Sequence, residues 1–285
     1  MLFAPGNHPR KVEKVFGVGA DAVILDLEDA VAIGEKVDAR QAVVEALKKP
    51  RSCKGYVRVN ALDTPFCYGD LLAVVGHWLD GVVLPKTESA AHVLTVDWLL
   101  TQLERERGLP TGGIDLIPII ETGRGVAAVE EIAGSGPRVK RLAFGAADYT
   151  RDIGMRWTLE ESELAPTRAT IVLASRVAGI EPPIDTPFLH VGKHRDSLHR
   201  TTELARDIGF QGKLCIHPEQ IDPVNRVFTP TEKEIAEARK IVEAFAAAEA
   251  GGSASIQVDG QFVDYPIVEK AKRTLEMARQ ISSGD

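Results

Sequence analysis

Residues 115–125 read DLIPIIETGRG, an apolar run that stops at a glutamate and then turns on glycines. The segment from Leu116 to Ile120 is continuously apolar, which is typical of a parallel strand covered on both faces. Glu121 stands at the exit of this strand, and Arg124 follows it closely. A local ion pair with Arg124 is the simplest explanation of Glu121. The rest of the chain decides whether that explanation is sufficient.

Apolar runs of the same kind recur from one end of the chain to the other, with helical patterns between them. The eight strand candidates are 2–6, 22–29, 56–60, 81–86, 116–121, 141–148, 184–189 and 213–218. The helix candidates are 9–17, 35–48, 67–77, 89–107, 125–133, 160–178, 196–208 and 219–227. One strand with its helix takes about 30 residues, and the runs recur at roughly that interval. Eight units predict an α/β fold, a (β/α)8 TIM barrel over residues 1–228. An open doubly wound sheet is the alternative, which is weakened because no glycine-rich dinucleotide loop follows the first strand.

The remaining residues, 229–285, predict an ordered C-terminal extension. It comprises a helix, an extended segment with a turn at Asp259-Gly260 and a final helix, at 229–250, 256–268 and 267–282. Thr231 as N-cap and Glu234 three residues on form the signature of a capping box. Because a closed barrel has no place for this extension, we expect it to pack outside the barrel or on a neighbouring subunit.

The composition limits the class of protein. With 44% hydrophobic and 26% charged residues, the chain reads as an ordinary globular protein. Its net charge of −7 argues against a protein that binds nucleic acid or a membrane surface. The cysteines (Cys53, Cys67, Cys215) are scattered, which disfavours a disulfide framework and fits a reducing cytoplasm. No apolar run approaches the ~18 residues of a membrane span, so we expect a cytoplasmic location.

Polar side chains stand at the end of nearly every strand candidate. They are Asn7, Glu28, Asp29, Arg58, Asn60, Lys86, Glu121, Asp148 and His217. In a (β/α)8 barrel the carboxyl ends of the strands converge on one face, where active sites lie. Converging charges would repel or stay unsatisfied unless a ligand binds among them. This face is therefore the predicted functional site.

Glu121 and Asp148 close consecutive strand candidates, so we expect them to be neighbours. Two carboxylates at one apolar mouth do not both ionise without a cation. Mg²⁺ suits two oxygen ligands with open positions, whereas the histidines lack the spacing of a zinc site. The alternative for Asp148 alone is a helix N-cap.

Two basic residues belong to the same face. Arg58 shares a strand face with Asn60 and is placed either to bind a ligand carboxylate or to pair with Glu28 or Asp29. Lys86 is compatible with a Schiff-base lysine, but pairing with Glu28 or Asp29 is the favoured interpretation. We interpret His217 as a structural histidine and Cys215 as a core residue.

Eight segments spread over the chain resemble, in order, the motifs of one family. They are LFAPGNHP, ADAVILDLEDAV, RVN, GVVLPKTES, IPIIET, LAFGAADYTRDIG, GKLCIHPEQI and VDGQFVDYPIV. The chain closely resembles the citrate lyase β-subunit-like branch of the HpcH/HpaI aldolase superfamily, which includes malyl-CoA and citramalyl-CoA lyases.

The resemblance implies a Mg²⁺-dependent carbon–carbon lyase, with Mn²⁺ as a substitute metal, that acts on an acyl-CoA or oxo-acid as a homotrimer. Glu121 and Asp148 match the metal ligands of the family, and Arg58 matches the arginine that holds the oxo-acid carboxylate. Asp264 matches a general acid/base that the tail of a neighbouring subunit contributes. The resemblance further implies contacts to CoA phosphates from Arg10 and Lys14. From the chemistry of the reaction we expect backbone contacts to substrate oxygens at Ala146 and Ala147, and from the charge pattern we expect supporting roles for Glu28, Asp29 and Lys86.

Three alternatives for the activity stay open at this point. A free-standing acyl-CoA lyase is the leading hypothesis, with citramalyl-CoA as first substrate and malyl-CoA as second. The others are a citrate lyase β subunit acting on citryl-acyl-carrier protein and a non-catalytic ligand-binding barrel. His190, Lys193, Pro166 and Ala147 depart from the family pattern and make the rim less acidic, which bears on the substrate more than on the reaction.

Overall fold

The barrel predicted from the sequence is the observed architecture. A computed structural model describes residues 1–283, apart from the side chains of residues 9, 10, 13 and 283. Eight parallel strands pair in chain order from β1 to β8. They are β1 (Leu2–Pro5), β2 (Ala22–Asp26), β3 (Lys54–Arg58), β4 (Gly81–Leu84), β5 (Asp115–Ile120), β6 (Ala143–Phe144), β7 (Ile184–Asp185) and β8 (Gly212–Lys213).

The ring closes between its first and last strands. The Phe3 N–H donates to the Cys215 carbonyl at 2.8 Å, and the Cys215 N–H donates to the Met1 carbonyl at 2.8 Å. These bonds form a parallel bridge between Leu2 and Cys215, just beyond β8. The doubly wound alternative is therefore wrong, because an open sheet has two unpaired edges.

A helix follows each strand, with small shifts at most of the predicted ends. The predicted helix 125–133 divides into two helices, and an additional helix begins inside the predicted strand 141–148. The helices are α1 (Pro9–Lys14), α2 (Lys36–Leu47), α3 (Cys67–Val74), α4 (Ala90–Glu106), α5 (Gly123–Ala127), α6 (Val129–Ala133), α7 (Ala146–Asp152), α8 (Ala165–Val177), α9 (Arg195–Ile208) and α10 (Ile221–Phe228). Short 3-10 turns lie at Val15–Gly17, Ile33–Glu35, Ser162–Leu164 and Pro218–Gln220. Within residues 1–283, none of the helices has both the length and the apolarity needed to traverse a lipid bilayer.

The barrel interior is filled by alternate residues of the strands. Its core includes Ala22 and Ile24 from β2, Tyr56 from β3, and Ile117 and Ile119 from β5. Each fully buried isoleucine of this kind stabilises the fold by on the order of 1.5–3 kcal/mol. Because side chains alternate with a period of two, the next inward positions lie at the carboxyl end of the same strands.

Those next positions carry charge instead of hydrocarbon. They are Asp26 on β2, Arg58 on β3 and, one residue past β5, Glu121. The register pairs Asp26 directly with Arg58 across β2 and β3. Along β2, β3 and β5, the inward side chains thus change from apolar to charged over two residues, which gives the barrel a charged mouth.

The second compact unit starts at Asn225, four residues before the predicted extension. It contains α11 (Glu232–Ala250), a hairpin of β9 (Ile256–Val258) and β10 (Gln261–Val263), and α12 (Tyr265–Ser283). The predicted capping box of Thr231 and Glu234 is confirmed. Asp259 and Gly260 have φ values of 49° and 82°, as the predicted two-residue hairpin turn requires.

Candidate active site

The mouth of the barrel is its opening at the carboxyl ends of the strands. Asp26 and Arg58 form the central ion pair of this mouth. The Arg58 Nε donates to Asp26 Oδ1 at 2.7 Å and Nη2 donates to Oδ2 at 2.6 Å. Backbone N–H groups of Glu28 and Ala30 donate to the same carboxylate at 2.9 and 3.1 Å. Asp26 is 1% exposed. Burial opposes its ionisation, but Arg58 and the backbone donors outweigh burial and hold the Asp26 pKa below its ordinary value.

Arg58 contacts both carboxylates suggested by the sequence, but neither is its main partner. Its Nη1 lies 3.0 Å from Glu28 Oε2 and 3.8 Å from Asp29 Oδ2. The Phe3 ring packs against the guanidinium at 4.8 Å from ring centroid to Cζ. Sequence reasoning missed Asp26, since it stands inside the run AVILDLED rather than at its end. The signal was present in its spacing from Ala22 and Ile24, which share its face.

Lys86 joins two carboxylates through different groups. Its ammonium pairs with Glu28 Oε1 and lies 3.8 Å from Asp29 Oδ1, so the favoured pairing interpretation is confirmed. Its backbone N–H donates to Glu121 Oε1 at 2.7 Å. Lys86 adopts the left-handed conformation with φ 48°, which costs a non-glycine residue free energy and recurs at functional sites.

Glu121 is the buried carboxylate at the end of β5, with 3% of its surface exposed. Burial raises its pKa to about 8, with a further contribution from the negative charge of Glu28. Arg124 is exposed on α5, so the local ion-pair explanation of Glu121 is wrong. Gly145 makes room for Glu121, because a Cβ at residue 145 would lie 2.4 Å from Glu121 Oε2.

Asp148 lies close enough to Glu121 for its charge to raise the Glu121 pKa. It belongs to the first turn of α7 and pairs with the exposed Arg151 at 2.5 Å. Asp148 therefore neither closes a strand nor caps the helix. The strand ends at Phe144 and the N-cap is Gly145, because the backbone turns into α7 earlier than the run RLAFGAAD suggested.

The charges at the mouth are unbalanced. The carboxylates are Asp26, Glu28, Asp29, Glu121 and Asp148, and the buried or half-buried cations are Arg58 and Lys86. Glu28 Oε2 is buried and, despite its proximity to Arg58, has no hydrogen bond among the described residues. Burial raises the Glu28 pKa, as it does that of Glu121. An excess of carboxylate oxygens, one of them buried without a hydrogen bond, fits a hard divalent cation.

The described residues contain no group of three or more His, Cys, Asp or Glu side chains arranged to hold a metal. A site of this kind has two candidate protein ligands, Glu121 and Asp148, and leaves coordination positions for water and ligand oxygens. That pattern matches Mg²⁺, which keeps several waters, and not a structural zinc site closed by four side chains.

The two backbone N–H groups of α7 that were expected to contact substrate oxygens are not both available. The Ala146 N–H donates to Thr186 Oγ1 at 2.9 Å, so in this structure it is already occupied. Thr186 follows β7 at an inward position and was not singled out from the sequence. Ala147 is exposed.

The remaining predicted residues stand on other elements or lie outside the described side chains. Lys14 is exposed at the end of α1, and the side chain of Arg10 lies outside the described residues. Asp264 lies between β10 and α12 in the second unit. His190 and Lys193 are exposed on the loop after β7, where the His190 ring contacts His194 at 5.3 Å between centroids.

Three further expectations concern structural roles. Pro166 stands in the first turn of α8, a position that tolerates proline. The His217 ring accepts the Glu219 N–H at 3.3 Å and caps the turn before α10, which confirms a structural histidine. Cys215 is buried, as expected of a core residue.

Comparison with known proteins shows which proteins this chain is similar to. Residues 1–218 match the family model described as HpcH/HpaI aldolase/citrate lyase. The citrate lyase subunit beta of Leuconostoc mesenteroides subsp. cremoris is 40% identical over 280 residues, covering 98% of this chain and 92% of that one. The L-malyl-CoA/beta-methylmalyl-CoA lyase of Cereibacter sphaeroides (strain ATCC 17025 / ATH 2.4.3) is 38% identical over 306 residues, covering 99% and 95%. The crystal structure of CitE from Mycobacterium tuberculosis in complex with magnesium, acetoacetate and coenzyme A aligns with a TM-score of 0.79 at 30% identity, covering 98% and 97%.

Proposed function

Because the chain belongs to the HpcH/HpaI aldolase/citrate lyase family, we propose that it is a Mg²⁺-dependent carbon–carbon lyase. It cleaves a 3-hydroxy-3-carboxyacyl thioester of CoA into an oxo-acid and a shorter acyl-CoA. The observation that carries the proposal is the buried Glu121 at a mouth with excess carboxylates, beside a guanidinium held by Asp26. Relatives named as lyases at 38–40% identity over nearly the whole chain support it.

Glu121 and Asp148 are the residues that would hold the metal, with Mn²⁺ as an alternative because it takes the same oxygen ligands. When bound, Mg²⁺ supplies a Lewis acid that lowers the pKa of the substrate hydroxyl and stabilises charge on the oxygen of the oxo-acid. Glu121 would hold the metal as a carboxylate, so the proton that its raised pKa favours would be released when the metal binds.

Arg58 orients the substrate through its carboxylate. Its guanidinium keeps its positive charge, because Asp26 and Glu28 outweigh burial and raise its pKa. The cleaved bond joins the carbinol carbon to the carbon next to the thioester. As the hydroxyl releases its proton to solvent and becomes the carbonyl of the oxo-acid, the bond's electron pair moves into the thioester, giving an enolate.

The enolate carbon then takes one proton, which balances the proton lost by the hydroxyl. We assign this donation to Asp264, supplied by a neighbouring copy in a homotrimer, and the same residue is the base in the condensation direction. The support for Asp264 is its match to the family motif in VDGQFVDYP. Lys86 and Glu28 keep the mouth ordered by linking Glu121 to the β2 end.

Citramalyl-CoA, cleaved to acetyl-CoA and pyruvate, is the first proposed substrate, and malyl-CoA is the second. The test is release of acetyl-CoA from each ester by the purified protein with Mg²⁺, measured against a chelator-treated sample. We expect turnover that depends on metal and on Glu121. Absence of cleavage of both esters would contradict a free-standing acyl-CoA lyase.

A citrate lyase β subunit is the second candidate, favoured by the 40% identity to the Leuconostoc mesenteroides subsp. cremoris protein. Its substrate is a citryl group on an acyl-carrier protein, which gives oxaloacetate. Oxaloacetate release from citryl-acyl-carrier protein, without release of acetyl-CoA from either CoA ester, would select this candidate.

A further inference from the structure

Asp26 holds Arg58 more completely than an ordinary ion pair does. Both carboxylate oxygens bond to the guanidinium, at 2.7 Å to Nε and 2.6 Å to Nη2. The carboxylate is itself fixed by the backbone N–H groups of Glu28 at 2.9 Å and Ala30 at 3.1 Å. Because Asp26 is 1% exposed, no water competes for these bonds.

This arrangement leaves the Nη1 end of the guanidinium outside the pair with Asp26. A guanidinium is planar and carries five N–H donors, which Asp26 engages along the Nε–Nη2 edge. The Phe3 ring lies 4.8 Å from Cζ against the group. The remaining Nη1 end lies 3.0 Å from Glu28 Oε2, an oxygen that forms no hydrogen bond within the described part of the chain.

We propose that Asp26 is a positioning residue that fixes Arg58 so that the Nη1 end, and not the Nε edge, receives the carboxylate of the oxo-acid. The inference rests on the proposed function for the identity of that ligand. The physical reason is pre-organisation. An arginine locked by a second carboxylate loses little rotamer entropy on binding, and a misplaced group costs affinity and rate.

A merely structural role makes a different prediction. A structural carboxylate stabilises the fold, but its loss leaves the affinity of the folded protein for the oxo-acid unchanged. Glu104 provides the matched control, since it is also fully buried and bonds to Arg138 at 2.7 and 2.9 Å. Glu104 lies on α4, on the outer helical layer and away from the mouth.

The test compares wild type, Asp26→Asn and Glu104→Gln by calorimetry with pyruvate in the presence of Mg²⁺. We expect Asp26→Asn to weaken pyruvate binding by about tenfold or more, the loss of one charge-assisted bond. Binding of acetyl-CoA should stay unchanged, and Glu104→Gln should bind pyruvate like wild type. In turnover, the Asp26 variant should raise KM and lower kcat together, because Arg58 then presents the substrate in several orientations.

A second measurement needs no Asp26 variant and covers failure of that variant to fold. In ¹⁵N-arginine-labelled protein, the Arg58 Nε–H signal is assigned by its loss in Arg58→Lys. We expect this signal to exchange slowly with water and to remain protected when pyruvate is added. Faster exchange on adding pyruvate would mean that the ligand displaces Asp26 and would overturn the proposal.

The outcomes separate this proposal from the proposed function. Unchanged pyruvate affinity in a folded Asp26→Asn protein, or a wild type that binds no pyruvate, overturns the positioning role. A different result is that the wild-type protein cleaves neither CoA ester, while Asp26→Asn still weakens pyruvate binding. This result would contradict the lyase assignment and leave the positioning role supported.

Discussion

Glu121 combines burial with a neighbouring negative charge, and the two together raise its pKa to about 8. Glutamine has nearly the same shape and keeps an oxygen for the Lys86 N–H, which donates at 2.7 Å. We therefore predict that Glu121→Gln folds like wild type but loses Mg²⁺ affinity and lowers turnover by roughly 10²–10³-fold or more. Calorimetry with Mg²⁺, the CoA-ester assay and thermal unfolding measure the three properties on one preparation. An unfolded variant would return Glu121 to a structural role.

The same carboxyl group predicts how stability depends on pH in the metal-free protein. A group with a folded pKa of about 8, above its ordinary value of 4.5, stabilises the native state fully below the ordinary value. That stabilisation is lost as the pH rises through the folded pKa. We predict that the free energy of unfolding falls by on the order of a few kcal/mol between about pH 5 and pH 8.

Denaturant unfolding of chelator-treated protein over this pH range measures the decrease. Glu28 acts in the same direction, since its pKa is also raised. Asp26 has a lowered pKa and therefore affects stability only in more acidic solution. The decrease should diminish in Glu121→Gln and at saturating Mg²⁺, because the metal binds the ionised carboxylate. A pH profile identical in wild type and Glu121→Gln would show that Glu121 ionises normally.

At the scale of elements, the junction between β6 and α7 decides where Glu121 can point. A Cβ on residue 145 would lie 2.4 Å from Glu121 Oε2 and 2.7 Å from Glu121 Cβ. Gly145 has φ −115°, so alanine fits the backbone, and the added Cβ would press mainly on Glu121, with Ile119 Cγ2 next at 3.0 Å. We predict that Gly145→Ala lowers turnover by about 10²-fold with a smaller effect on stability, because Glu121 must move.

Gly134→Ala is the matched control, because its added Cβ would meet the Glu130 carbonyl oxygen at an ordinary 3.5 Å. Steady-state kinetics and thermal unfolding of both variants check the prediction. Equal turnover in the two alanine variants would mean that the mouth tolerates displacement of Glu121.

The elements also show what the sequence can and cannot specify. The run at 116–121 predicted both a strand and a functional Glu121, since a continuous apolar run and the charged residue that ends it can be read directly from the sequence. The pairing of Asp26 with Arg58 remained hidden because Arg58 comes from another strand, through a register that no local pattern determines. Asp148 was placed on a strand because apolar small residues extend to it, although the chain already turns into α7 after Phe144.

At the scale of the whole molecule, the eight-fold alternation of apolar runs and helices was sufficient to predict the barrel. Strands β6, β7 and β8 have two residues each, far fewer than their apolar runs. The Thr231 capping box and the Asp259-Gly260 turn were predictable because both depend on local chemistry. The proposed role of the second unit depends on another copy of the chain, and no single sequence pattern determines it.

A proton donor supplied by a neighbouring copy has a consequence that separates it from a donor within one chain. If Asp264 serves the mouth of another subunit, Asp264→Asn and Glu121→Gln each inactivate a homo-oligomer. Mixing the two inactive proteins after dissociation and reassembly places an intact mouth beside an intact Asp264 at about a quarter of the sites in a cyclic ring. We predict that the mixture regains about that fraction of wild-type turnover.

CoA-ester cleavage measured before and after mixing tests this prediction. The control is Asp259→Asn, which changes an exposed acid that pairs with Lys240 and is expected to stay active. No recovery in reassembled mixtures, together with activity loss in Asp264→Asn alone, would place Asp264 at the mouth of its own chain.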